Sequence, residues 1–189
     1  MDFFRTINGS FKSSTIIFNC CSNTPWRKNQ MMDHSNRKAT IFASRGTKDD
    51  IETGNVFCPK FDETGLIPCI VSEHKTGVTL MFAFMNAKAL ELTIETGMAH
   101  FWSRSRKELW KKGETSGNTQ QVVEILTDCD QDAICLIVNQ ERAACHVGYH
   151  SCFHRSVPTG LITDPKKIIL ERKEAAKTFE PSEVYKHKV

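Results

Sequence analysis

Val78-Thr79-Leu80-Met81-Phe82-Ala83-Phe84 leads through Met85 into Asn86-Ala87-Lys88-Ala89-Leu90-Glu91-Leu92-Thr93-Ile94-Glu95-Thr96-Gly97, and the change of pattern along this stretch decides the fold. Its apolar first part suits a pleated surface and predicts a strand. Asn86 is placed to accept from the first free amides of a helix, and Gly97 to end that helix in a left-handed turn. Between them Ala87, Leu90 and Ile94 form an apolar stripe, with Glu91 and Glu95 left to solvent. Upstream, Gly65-Leu66-Ile67-Pro68-Cys69-Ile70-Val71 reads as a strand in which Pro68 marks an edge or a bulge, and Gly77 sits in the turn that follows. Downstream, strands are predicted at His100–Ser103, Gln121–Thr127 and Ala133–Val138. Short strands with one principal helix predict an α+β domain whose compact sheet is antiparallel-rich, not doubly wound.

The chain of 189 residues, 40% hydrophobic, holds one well-packed domain and extensions. Residues 56–156 are read as that domain, 1–55 as an N-terminal extension and 157–189 as a charged tail. Between Met1 and Met32 the sole acidic residue is Asp2, against Arg5, Lys12, Arg27 and Lys28. That composition fits a disordered tail or an over-extended start, with Met31 and Met32 as alternative starts; an organellar transit peptide is the competing reading. In the tail, Pro165 to Thr178 has a helix-like pattern carrying Ile168, Ile169 and Leu170. A net charge of +3, without a long Lys/Arg run, argues against general nucleic-acid binding. The eight cysteines are widely spaced, and no secretory signal leads the chain. Free thiols in a reducing, cytoplasmic setting are therefore expected, and no apolar stretch is long enough to span a bilayer.

The pentad Asp128-Cys129-Asp130-Gln131-Asp132 interleaves soft and hard ligands. Thiolates favour zinc, and clustered carboxylates favour magnesium or a similar hard cation. If the pentad is a strand, Asp128, Asp130 and Asp132 share one face and Cys129 the other. An EF-hand loop would need Gly and Glu where Ala133 and Asn139 stand, so that reading falls; a solvated strand edge is the plain alternative. Cys135, between Ile134 and Leu136, reads as a small hydrophobe. Cys145 and Cys152 instead flank the polar stretch His146-Val147-Gly148-Tyr149-His150-Ser151. Three thiolates, one short of a closed structural zinc site, point to catalysis.

In Phe101-Trp102-Ser103-Arg104-Ser105-Arg106-Lys107, two arginines two apart on an extended segment would project together and suit phosphate oxygens. Lys111 and Lys112 add charge, and the loop Gly113-Glu114-Thr115-Ser116-Gly117-Asn118 offers amides and short hydroxyls to an anion. Trp102 and Trp110 are read as core packing, with base stacking as the alternative.

These runs, with Leu80-Met81-Phe82-Ala83-Phe84-Met85-Asn86, Leu109-Trp110-Lys111-Lys112-Gly113-Glu114-Thr115-Ser116-Gly117-Asn118, Ala144-Cys145-His146 and Ser151-Cys152-Phe153, together resemble phosphoribosyl-AMP cyclohydrolase, a family of histidine biosynthesis. The resemblance covers roughly Phe57 to Arg155, in order. It implies a homodimer in which Cys129 of one chain joins Cys145 and Cys152 of the other around zinc, while Asp128, Asp130 and Asp132 take magnesium. It also implies hydrolytic opening of the adenine ring of N1-(5-phosphoribosyl)-AMP between N1 and C6. Under that reading His146 is the expected acid/base, and Arg104, Arg106, Lys111 and Ser116 the expected phosphate contacts.

The sequence departs from the family where Thr-Gly-Arg-Arg usually follows the histidine. Val147-Gly148-Tyr149-His150 stands here instead, and His154 replaces the usual Tyr. Phosphate recognition by that loop is thereby placed in question. Relatives are often fused to a pyrophosphohydrolase; the 33 residues after Ser156 are too few for such a domain, so a monofunctional enzyme is expected. A divergent zinc hydrolase acting on another purine nucleotide is the alternative, although the H-x-E and P-C-x-x-C motifs of nucleobase deaminases are absent. A non-catalytic zinc module is a further rival, and would need a fourth ligand such as His146 or His150.

Overall fold

Ile67, Cys69 and Val71 alternate along strand β1 (Leu66–Glu73) and are all fully buried, which fixes the inner face of the sheet. The computed structural model describes residues 41–160 and 168–185, so residues 1–40 of the extension, with their targeting and start-site readings, lie outside the described residues. After β1 come β2 (Thr79–Asn86), helix α2 (Ala87–Thr96), β3 (His100–Ser103), β4 (Glu108–Lys111), β5 (Gln120–Thr127) and β6 (Ile134–Gln140). A short helix α1 (Lys48–Thr53) precedes them; β7 (Arg155–Ser156), β8 (Glu171–Arg172) and α3 (Pro181–Val184) follow. The main sheet has the order β4-β3-β2-β1-β6-β5, with β1–β6 parallel and the other pairs antiparallel. This is the expected α+β, antiparallel-rich arrangement, closed in its middle by one parallel pair.

Helix α2 starts and stops where expected. The Asn86 side chain accepts from the Ala89 amide at 2.8 Å, and Gly97 caps the other end with φ 65°. Its inner stripe differs from the expected one: Ala89, Leu90 and Thr93 are buried, whereas Ile94 is 45% exposed. Thr93 decides the rotation. Its hydroxyl donates to the Ala89 carbonyl and accepts from the His100 amide, tying the helix to the start of β3. Ala89 and Leu90 thereby join Ile67, Cys69, Val71, Leu80, Met85, Phe101, Ile134, Leu136 and Val138 in one core.

Pro68 lies in the central strand β1, not at a sheet edge. It is tolerated because pairing with β6 begins only at Cys69. The irregularity of β1–β2 falls instead between Val71 and Ser72, where Leu80 is the extra residue on β2. Cys135 is half-buried on the outer face of β6; Cys69 is the fully buried thiol, raised by burial above the usual thiol range.

Within residues 41–55, grouped with the extension, Thr47 and Asp50 form a capping box on α1, and Phe42 packs edge-on against Phe57 at 5.6 Å. The described part of the helix-like run, residues 168–178, contains the strand β8 and no helix. Its carbonyls and amides are drawn into pairing with β7, and tertiary pairing overrides local pattern. No helix among the described residues is long and apolar enough to cross a membrane.

Candidate active site

The pentad Asp128–Asp132 is not a strand but the turn joining β5 to β6, so strand alternation cannot arrange its side chains. The turn does so by other means. The Gln131 amide donates to the Asp128 carbonyl at 3.2 Å, and Gln131 takes a left-handed φ of 57°. Oδ1 of Asp128 accepts from the amides of Asp132 and Ala133, each at 3.0 Å, which folds the turn around that carboxylate. Donor oxygens of Asp128, Asp130 and Asp132 consequently lie within 4.8 Å of one another, the sole such His/Cys/Asp/Glu trio among the described residues.

A cation already belongs to this cluster. Lys60 Nζ lies 2.9 Å from Asp132 Oδ2 and 3.5 Å from Asp130 Oδ2. The bond to Lys60 holds the Asp132 carboxyl below its ordinary range, and the same bond raises Lys60. Gln131 anchors the turn from behind: its side chain accepts from the Cys58 amide at 2.8 Å and donates to the Ile51 and Val56 carbonyls. Arg45 adds two bonds, to the carbonyls of Cys58 and Asp130, each at 2.8 Å. Three carboxylates drawn together around a positive charge fit a hard divalent cation.

The second ligand set sits on a loop docked against the β2 bulge. There the carbonyls of Thr79 and Leu80 face outward: Ser151 Oγ donates to Thr79 at 2.7 Å, and the Cys152 amide donates to Leu80 at 2.7 Å. Cys145 is buried in the same loop, and its thiol neighbours that of Cys152. Cys152 is exposed as a residue, but its thiol is set inward, and desolvation with the adjacent Cys145 pushes it up to about 12. Two neighbouring thiols fit a soft cation such as zinc. Cys129 is exposed at the hairpin tip and is not gathered with them within one chain.

Between β2, β3, β4 and the thiol loop opens a cleft of about 1030 Å³. Arg104, Arg106, Lys111 and Ser116 line it together with His146 and Cys152. The two arginines occupy the β3–β4 turn rather than an extended segment, and they do not project alike. Arg104 lies over the Phe84 ring, 4.0 Å from its centroid, whereas Arg106 is paired with Glu108. Trp102 and Trp110 are half-buried cleft walls; Trp110 also packs on core Phe101, with ring centroids 5.0 Å apart. Gly113 opens the following loop with φ +83°, and a Cβ there would collide with the Asn118–Thr119 backbone.

Lys112, expected with Lys111 to add charge for an anion, is 6% exposed. Its Nζ donates to the Asn118 carbonyl at 3.1 Å and feels both Cys145 and Cys152, while burial lowers its pKa. Arg45, Lys60 and Gln131 are not marked as site residues by the sequence, and Lys112 is marked only as a charge beside Lys111. Of the first three only Gln131 carried a signal, as the lone amide among acids. Tyr149 and His150, standing where arginines are usual, point away from phosphate roles. Tyr149 is buried and stacks on His154, with centroids 4.0 Å apart, and His150 Nε2 lies 3.3 Å from Glu73 Oε1.

Comparison with known proteins agrees with this geometry. The pattern of the phosphoribosyl-AMP cyclohydrolase family matches residues 81–154, from β2 through the thiol loop. A phosphoribosyl-AMP cyclohydrolase of Methanococcoides burtonii is 52% identical over 126 residues, 67% of this chain and 94% of the relative. One from Nitrobacter winogradskyi is 49% identical over 145 residues, covering 76% and 98%, and one from Sinorhizobium fredii is 50% identical over 151 residues, covering 79% and 97%. At such identity over nearly the whole of each relative, the chain belongs to the phosphoribosyl-AMP cyclohydrolase family.

Proposed function

We propose that this protein hydrolyses the N1–C6 bond of the adenine ring in N1-(5-phosphoribosyl)-AMP, yielding the phosphoribosyl-formimino carboxamide ribotide of histidine biosynthesis. The observation that carries the proposal is the cleft itself, which joins cationic side chains to the Cys152 thiol and a histidine. Cys129 of one copy with Cys145 and Cys152 of another would hold zinc, which lowers the pKa of a water at an open position toward about 7. Asp128, Asp130 and Asp132 would hold magnesium, which supplies positive charge for phosphate oxygens.

The chain's own residues do the rest. Arg104, Arg106, Lys111 and Ser116 receive phosphate oxygens, and their spread along the cleft suits a substrate with phosphates at both ends. Trp102 forms a wall beside the base. Alkylation at N1 leaves C6 electron-poor and open to water. His146, exposed on the cleft, accepts the water proton as oxygen bonds to C6 and returns it to N1 as the C6–N1 bond breaks. C6 keeps its exocyclic nitrogen and leaves as a carboxamide.

A homodimer is part of the proposal. Phe82, Ile70, Cys135 and Leu126 are registered neighbours across β2, β1, β6 and β5, on the outer face that also forms the cleft floor. Phe82 is 48%, Ile70 44% and Leu126 42% exposed, an apolar strip suited to a second copy. Cytoplasmic residence fits the free thiols of the described residues.

The test is to add phosphoribosyl-AMP to the zinc- and magnesium-supplied protein and follow ring opening by absorbance and a product mass increased by one water. Conversion is expected; loss of ammonia instead would support the deaminase-like alternative, and no reaction would reject the assignment. His146→Ala at normal zinc content should lose most turnover, and unchanged turnover would remove its role.

A further inference from the structure

The loop that carries Cys145 and Cys152 is held on one side by the β2 bulge and on the other by residues from the C-terminal segment. Glu174 makes the central contact. Its two carboxylate oxygens accept separately from the amides of His150 at 2.8 Å and Ser151 at 2.9 Å, the two residues immediately before Cys152. Around it the segment is tethered repeatedly to the same loop. The Lys173 amide donates to the His154 carbonyl at 2.8 Å, and the Thr178 amide to the Gly148 carbonyl at 2.7 Å. Arg172 donates to the Tyr149 hydroxyl at 2.9 Å, and β8 pairs with β7 just beyond the loop. Gly148 has φ +96°, and a Cβ there would collide with the Phe179 carbonyl oxygen. The segment then continues into α3, where Glu183, Val184 and Tyr185 form part of the cleft wall.

We propose that residues 168–185 act as a strap that sets the geometry of the thiol loop, with Glu174 as its positioning residue. A carboxylate is suited to this task because it is acceptor-only, so both oxygens can receive amides at once. Fixing two successive amides fixes the peptide from which Cys152 departs, while its own amide is fixed by Leu80 from the other side. The backbone that carries Cys152 cannot then move away from Cys145 without breaking charge-assisted bonds. Glu174 is bonded to the backbone and not to a thiol, as outer partners of metal ligands are, although its charge also bears on Cys152. The proposal rests on the reading that Cys145 and Cys152 bind zinc.

The experiment measures zinc affinity of the full-length protein by competition with a chromophoric chelator, without substrate. Glu174→Gln retains size but sets an NH2 group against one of the two amides; Glu174→Ala removes both acceptors. Each should weaken zinc binding by about 10–100-fold. Lys88→Ala, which loses the Lys88–Glu91 pair of α2, far in sequence from both strap and thiol loop, should bind as wild type. In the metal-free proteins, faster hydrogen exchange of the His150 and Ser151 amides in the Gln variant, with near-ultraviolet circular dichroism unchanged, would separate loop positioning from general unfolding. If both Glu174 variants bind zinc within about twofold of wild type while Cys145→Ser does not bind, the strap proposal falls and the zinc reading stands. If Cys145→Ser binds zinc as tightly as wild type, the zinc reading falls and the strap proposal with it.

Discussion

Gln131→Ala is the perturbation most closely tied to how the chain builds its acidic site. Gln131 is 5% exposed, and its side chain makes bonds of 2.8, 3.1 and 3.3 Å to Cys58, Ile51 and Val56. A typical intramolecular hydrogen bond contributes about 1 kcal/mol net, while leaving a buried donor without a partner costs about 1–3 kcal/mol. The Cys58 amide, on a residue 3% exposed, is the donor that would be orphaned. Counting that amide fully and the two longer bonds weakly, the substitution should destabilise the protein by about 2–4 kcal/mol. Urea unfolding of the full-length protein measures this, and a magnesium titration of the same variant should show weaker binding because the turn loses its rear anchor. A loss below about 1 kcal/mol with an unchanged denaturant slope would refute the reasoning. It would mean that Arg45 and the two bonds to Asp128 Oδ1 hold the turn alone.

Other outcomes follow from the same geometry. Arg104→Ala should raise KM for phosphoribosyl-AMP by about 10–100-fold, the equivalent of one lost charge-assisted contact, and an unchanged KM and kcat would remove it from the phosphate set. Lys112→Met keeps the buried stem but deletes the charge beside the thiol pair; turnover should drop at least about tenfold, whereas wild-type turnover would make Lys112 a packing residue only. In native metal-free protein, Cys129 should react rapidly with a thiol reagent and Cys69 should not, because one is exposed and the other fully buried with a raised pKa. Peptide mapping of the labelled sites decides this, and labelling of Cys69 before Cys129 would contradict the fold.

The sequence made some features plain because they depend on short-range chemistry. Asn86 and Gly97 marked the ends of α2, since capping is local, and Leu66–Val71 read as a strand, but its unbroken apolar run did not show that Ile67, Cys69 and Val71 face inward. Strand β4 was not legible: Glu108 and Lys111 at its ends suggest a polar loop, and only its pairing with β3, from Ser103–Glu108 to His100–Lys111, makes it a strand. The pentad was assigned the right grouping of carboxylates for the wrong reason, because a turn folded around Asp128 gathers them, not strand alternation. Lys60 and Arg45 escaped notice because each reaches its partners across about seventy or more positions of sequence. Glu174 escaped for a similar reason, its two amide partners lying on a different segment. The two terminal segments thus divide the work: residues 45–60 hold the acidic turn, and residues 172–179 hold the thiol loop.

In the proposed dimer the ring-opening site is completed across two copies, by Cys129 of one and the thiol loop of the other. Subunit mixing tests this directly. Cys129→Ser and Cys145→Ser should each be inactive with phosphoribosyl-AMP alone. Dissociated, mixed in equal amounts and reassociated, they should recover about a quarter of wild-type turnover, since half of randomly paired dimers are mixed and each holds one intact site. Full silence of a mixture shown to contain mixed dimers, or normal turnover by Cys129→Ser alone, would contradict it.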